Sequence, residues 1–271
     1  MRYGIEITNL GDYADPRAVV RLARRAEAFG WEGLFVWDHL GFVWGVPSGD
    51  PWIILAAVAA STTRLRLGPA VTPLPRRRVQ VVANELATLD HLSGGRAVFG
   101  AGIGGVPEEF TAFGEPGGAA ERAGMLDEGL ALLDRLLLGE EVTHHGTNYT
   151  LGGVKLAPLQ RPPIWIGGES GPALRRAARW GGWIGNAANP DGTMGKSPER
   201  IAEMVEEIRR YRKATTPFEV AVGGYSGPGD TTLPRAYEEG GATWWLESIH
   251  EMRGPPDEMM ARVEAGPPGE G

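Results

Sequence analysis

The chain has no cysteine, and only Lys155, Lys196 and Lys213 of its 27 basic residues are lysines. Without cysteine there is no disulfide framework, no thiolate nucleophile and no thiolate metal ligand. Acidic residues number 34, and the formal net charge of -7 argues against nucleic-acid and membrane-surface partners, which both need a basic face. No segment approaches 18 uninterrupted apolar residues, and the opening 1-MRYGIEI lacks the apolar stretch of a signal peptide. A cytoplasmic protein is expected. No Ser/Gly linker or charge block divides the 271 residues, so one domain over 1–271 is expected.

What the chain does have is alternation. Eight short apolar runs are each followed by a helix-patterned segment: 3-YGIEI, 33-GLFVW, 65-LRLGPAV, 97-AVFGA, 164-IWIG, 183-WIGN, 218-FEVAVGG and 243-TWWLE. Strands alternating with helices argue for βα units and a parallel sheet, and eight units at this length match an α/β fold, a (β/α)8 TIM barrel. Helix signals agree. Asp15-Pro16 starts a helix with Val19, Ala23, Ala26 and Phe29 on one face and Gly30 at its end. Val79, Val82, Leu86 and Leu89 form another face, stopped by Gly94-Gly95, and Ser197-Pro198-Glu199 opens a helix carrying Ile201, Val205 and Ile208. Residues 142–163 break the rhythm before the fifth strand, and 145-HGTNY with 151-LGG predicts a short hairpin excursion. The Gly/Pro tail 266–271 is expected to fray.

Such barrels place their chemistry where strands end. Asp38-His39 follows the second run, and an imidazole there can move a proton near neutral pH with a carboxylate beside it to tune or orient. Its bland alternative is a pair of caps. Gly100, Gly102, Gly104 and Gly105 follow the fourth run, suited either to a turn or to close backbone approach, and Glu108 or Glu109 could cap what comes next. The segment 167-GGESGPAL ends a strand in glycines, offers Ser170 as N-cap and Pro172 in a first turn, and so presents backbone N–H groups to an anion, with Arg175 and Arg176 one turn on. Of Trp244 and Trp245 only one can face the barrel interior. His91, His144, His145 and His250 show no metal-ligand spacing, and no metal is expected.

The segments 68-GPAVTPLPRRRVQVVANELATLDHLSGGRAVFGAGIGGVPEEFTAFG and 162-PPIWIGGESGPALRRAARWGGW resemble the bacterial luciferase-like flavin and F420 oxidoreductases. The likeness extends to 26-AEAFGWEGLFVWDHL and 242-ATWWLE, hence over most of the chain. The resemblance implies a barrel that binds coenzyme F420 or FMN, a small organic substrate and a homodimer. It implies Asp38 and His39 beside the cofactor ring, His39 as acid/base, and a cis bond at Ala70-Val71 followed by Thr72 against the ring. Gly102 and Gly104 would approach the cofactor, Gly168, Glu169 and Ser170 would hold its phosphate, and Trp44 would form a substrate wall. Two departures narrow the match: Ile103 stands where luciferases carry an arginine for the FMN phosphate, and Gly105 stands near the catalytic glutamate of the sugar-phosphate dehydrogenase branch. They weaken both subfamily assignments; the Asp38-His39 pair together with the absent phosphate arginine favours F420-linked hydride transfer over FMN-dependent monooxygenation. A non-catalytic flavin-binding protein on the same barrel is the third reading.

Overall fold

A computed structural model describes residues 1–156, 161–189 and 191–268. Its strands are β1 (Arg2–Ile7), β2 (Gly33–Val36), β3 (Arg66–Pro69), β4 (Thr72–Pro73), β5 (Phe99–Gly102), β6 (Glu141–His145), β7 (Thr150–Lys155), β8 (Ile164–Gly167), β9 (Gly182–Asn186), β10 (Glu219–Gly224) and β11 (Trp244–Ile249). Its helices are α1 (Pro16–Ala28), α2 (Pro51–Ser61), α3 (Val79–Ser93), α4 (Glu108–Thr111), α5 (Ala119–Leu137), α6 (Gly171–Ala177), α7 (Pro198–Tyr211), α8 (Thr232–Glu239) and α9 (Pro256–Glu264). All eight apolar runs contain a strand.

The sheet is parallel in the order β3-β2-β1-β11-β10-β9-β8-β5-β4, and a parallel bridge from Leu67 to Ala97 brings its two ends together. The result is a nearly closed TIM-like barrel. The third expected strand is divided into β3 and β4 at the Ala70–Val71 peptide bond, which is cis. β6 and β7 pair antiparallel as the hairpin before β8. Residues 157–160 of the excursion and 269–271 of the tail lie outside the described residues. Within the tail, Gly266 and Pro268 are buried, and Arg262 Nη1 donates to Gly266 O.

Strand alternation separates two cores. Phe35, Val98, Trp165, Ile184, Ala221, Trp244 and Leu246 fill the barrel, while Ile5, Ile7, Leu34, Val36 and Trp245 face the surrounding helices. Trp244 therefore points in and Trp245 out, the split that a period of two requires. Three large rings meet in the interior: Phe35 stacks on Trp165 at 5.6 Å and meets Trp244 edge-on at 5.9 Å. Room for them comes from bare backbone, because a Cβ on Gly182 would lie 2.5 Å from Trp165 Cδ1. These buried rings fill the barrel interior.

The helix starts follow their capping residues. Asp15 accepts from Arg17 N, and Ser197 accepts from Arg200 N. One expected face position fails: Phe29 is 38% exposed, and Leu22 takes its place beside Val19, Ala23 and Ala26. Phe29 sits at the cap where the backbone leaves the helix, so its side chain swings out beneath the Arg25 guanidinium.

Candidate active site

A cavity of about 730 Å³ opens at the ends of the barrel strands. Asp38, His39, Ala70, Val71, Gly102, Gly104, Gly168, Glu169 and Ser170 all line it, gathered from the ends of β2, β3, β5 and β8. Thr72 does not. It is fully buried behind the cavity wall, and its Oγ1 has no hydrogen-bond partner. Trp44 stands at the rim, 47% exposed, with its ring edge-on to His39 at 5.1 Å between centroids. Trp37 meets the same imidazole edge-on at 5.9 Å.

Asp38 is not the partner of His39. Its buried carboxylate accepts from Arg76 Nη2 at 2.7 Å and from Arg77 Nε at 3.1 Å. The imidazole partner is Glu109: His39 Nδ1 lies 2.9 Å from Glu109 Oε1, which also accepts from Leu40 N at 2.8 Å. Arg76 Nη1 donates to the other oxygen of Glu109, so one guanidinium bridges both carboxylates. Burial alone would raise the Glu109 carboxyl; hydrogen bonds from His39 and Leu40, with Arg76 nearby, hold it below the usual carboxylate range. An ionised acceptor fixes the proton on Nδ1 and leaves Nε2 as the nitrogen able to exchange one. Among the described residues nothing hydrogen-bonds Nε2.

Neither Glu109 nor Arg76 was singled out for this work by the sequence. Glu109 lies 70 residues from His39 on the four-residue α4, and only the PEEF run marked the place. Glu6 was also missed. It ends the inward face of β1, lines the cavity and receives a hydrogen bond from Trp37 Nε1. Burial pushes its carboxyl up to about 7, and the Trp37 bond only partly offsets this. A lone carboxylate on the inward phase of 3-YGIEI was the available signal.

At the other expected locus, Ser170 caps α6 and its Oγ accepts from Ala173 N. Gly168 takes φ 111°, a conformation that side chains rarely adopt, and this keeps the turn bare. The two basic side chains lining the cavity are already paired. Arg176 donates to Asp127 through Nε and Nη2, both at 2.9 Å, and Lys196 Nζ lies 3.0 Å from Glu169 Oε2. Ile103 and Gly105 also line the cavity. His250 is buried against Tyr225, with Nε2 and the phenol oxygen 2.6 Å apart; His144 pairs with Glu128, and His91 and His145 are exposed. Among the described residues no group of three or more His, Asp or Glu is arranged to hold a metal ion, and no helix is long and apolar enough to cross a membrane.

Residues 3–231 match the model of the luciferase-like monooxygenase family. The chain is 31% identical over 223 residues to an uncharacterized protein of Mycobacterium bovis, covering 75% of each. It is 34% identical over 211 residues to an F420-dependent glucose-6-phosphate dehydrogenase of Microbacterium testaceum, covering 75% of this chain and 60% of that protein. The fold superimposes on an F420-dependent secondary alcohol dehydrogenase in complex with an F420-acetone adduct, with a TM-score of 0.80, 18% identity and 98% of both chains covered. At that identity the likeness speaks for the fold alone. The chain belongs to the luciferase-like monooxygenase family and is a flavin- or F420-dependent oxidoreductase. Enzymes of this family use F420 or FMN and act on small organic substrates.

Proposed function

We propose that this enzyme transfers hydride between coenzyme F420 and a small organic substrate, with His39 as the acid/base group. The observation that carries the reading is the chain His39–Glu109–Arg76–Asp38, set in the wall of the same cavity that ends in the bare Gly168–Ser170 turn.

The residues present fit that cofactor, and charge is what favours it over FMN. The phosphate of F420 is a diester with one negative charge; that of FMN is a monoester carrying nearly two at neutral pH. Here the nearby cations Arg176 and Lys196 are spent on Asp127 and Glu169. Among the described residues lining the cavity, the cradle offers backbone N–H groups and no unpaired arginine or lysine, which suits the single charge. The Ser170 hydroxyl accepts from Ala173 N and keeps its proton to donate. Asp38, Ala70, Val71, Gly102 and Gly104 would line the ring site, and Gly168, Glu169 and Ser170 the phosphate site. F420, when bound, supplies a carbon that gives or accepts the hydride. The rest falls to the protein: Glu109 holds Nδ1–H, Nε2 exchanges the substrate's proton, and the Arg76 bridge fixes the wall.

Titrating the purified protein with F420 and with FMN, followed by turnover once a substrate is found, tests this. F420 should bind in preference. Ser170→Ala should weaken it by roughly 1–2 kcal/mol, the worth of one charge-assisted hydrogen bond, and turnover at saturation should stay near normal. His39→Ala should keep the cofactor and lose turnover by about 10²–10⁴-fold. Preference for FMN would overturn the cofactor, and full turnover in His39→Ala would overturn the chemistry.

A further inference from the structure

A second concavity, about 470 Å³, lies against α6 and is lined by Arg175, Ala178, Arg179, Tyr211, Lys213 and Ala214. On a chain of net charge -7 with three lysines, a hollow walled by three cations is out of proportion. Arg179 is partly engaged with Asp127, but neither Arg175 nor Lys213 has a salt bridge to any described residue. Arg175 lies over the Tyr211 ring at 5.7 Å, which limits its rotamers while leaving its donors available. An opposing charge is Glu207, whose Oε1 lies 3.3 Å from where a Gly171 Cβ would stand. Counting Arg176 with the three lining cations and setting Asp127 and Glu207 against them, the wall keeps a positive balance.

The hollow adjoins the phosphate cradle. Pro172, Ala173 and Arg176 of α6 line the main cavity, while Arg175 lines the second. Arg175 Nη1 curls back to 3.2 Å from the point where a Gly171 Cβ would stand, beside Ser170. An anionic chain leaving the cradle therefore meets Arg175 first, with Arg179 and Lys213 in the wall beyond.

We infer that this hollow seats the oligoglutamate tail of F420, whose γ-linked residues each present a free carboxylate; the inference rests on the cofactor reading above. FMN ends at its phosphate and has nothing to place there. The carboxylates pair with Arg175 and Lys213, and the Tyr211 hydroxyl adds a donor.

The test is equilibrium binding, read by cofactor fluorescence, of F420 with a multi-glutamate tail and of its phospholactyl form without glutamates. Each exposed charge pair contributes a factor of roughly 1.5–5, so the tailed form should bind about tenfold tighter at low salt. That advantage should shrink markedly toward 0.5 M salt. In the Arg175→Ala/Lys213→Ala double variant it should fall below about twofold, while affinity for the tail-less form stays unchanged. Equal binding of the two forms by the wild-type protein overturns the tail site and leaves the cofactor reading standing. Loss of tail-less affinity in the double variant also overturns it, since these side chains would then serve the phosphate or the fold. If neither form binds, the cofactor reading itself fails.

Discussion

Glu6 is a side chain whose behaviour departs far from its type. Burial in the barrel mouth pushes its carboxyl up to about 7, from an ordinary value of 4.5. A carboxyl whose pKa is raised on folding stabilises the fold while it is protonated. That contribution is complete below the ordinary value and is lost as pH rises through about 7. From pH 5 to pH 8 the protein should therefore lose roughly 2–3 kcal/mol through this group. Glu6→Gln should remove that slope, and urea unfolding of both proteins at the two pH values measures it. An equal slope in both would show that Glu6 is not the titrating group. Glu109 works in the opposite sense, its stabilisation being lost only as pH falls through its depressed value. Of these side chains, the positions of His39 and Ser170 on the cavity wall were legible because strand ends and N-caps are local signals. Glu6 and Glu109 were not, because a carboxylate's environment is set by what folds over it: Trp37 in one case, His39 and Arg76 in the other.

Among elements, the eight strands and the main helices could be read from period and caps, since each buries one face at its own spacing. What period could not convey is where elements touch. The turn 89-LDHLSGGR lies in the segment that carries the family resemblance, and its side chains hold the scaffold: Arg96 donates to Leu65 O, Ala59 O and Thr62 O, and Asp90 accepts from Ala97 N. It ties the end of α3 to the end of α2 at the seam where β3 meets the segment leading into β5. That seam gives the next prediction. A Cβ on Gly68 would lie 1.9 Å from Val98 O, in the stretch where Val98 N donates to Leu67 O at 2.9 Å. Backbone cannot yield there as a side chain can, so Gly68→Ala should cost at least about 3 kcal/mol, the upper range for overpacking. Gly105, with open space around it, should accept alanine within about 0.5 kcal/mol. Unfolding midpoints of the two variants decide the matter, and a mild Gly68→Ala would mean the barrel seam is looser than its hydrogen bonds imply.

Across the whole molecule, the barrel closes only when its first and last strands meet, Arg2 pairing with Trp244 and Ile7 with Ile249. The C-terminal segment secures this joint. Glu247, fully buried on β11, accepts from Trp245 Nε1 at 2.9 Å and from Ser226 N at 3.0 Å. Arg253 lies 2.6 Å from one of its oxygens and Arg262 of α9 lies 3.2 Å from the other. Arg262 also covers the Trp31 ring, whose Nε1 donates to Val263 O, so α9 binds the start of the chain as well as its end. Nothing in 242-ATWWLE announced this role, because it depends on two arginines and a serine from three other segments. Removing the charge by Glu247→Gln leaves two guanidiniums facing a neutral amide at a fully buried position. Breaking one side of a buried ion pair costs about 3–5 kcal/mol, and that is the loss expected here. Arg253→Gln in the same chain should restore part of it, because the surviving amides can pair and one buried charge is gone. Urea unfolding of the two single variants and the double variant gives the coupling. If Glu247→Gln stays within about 1 kcal/mol of the parent, or the double variant loses the plain sum of the singles, the joint is held by strand pairing alone.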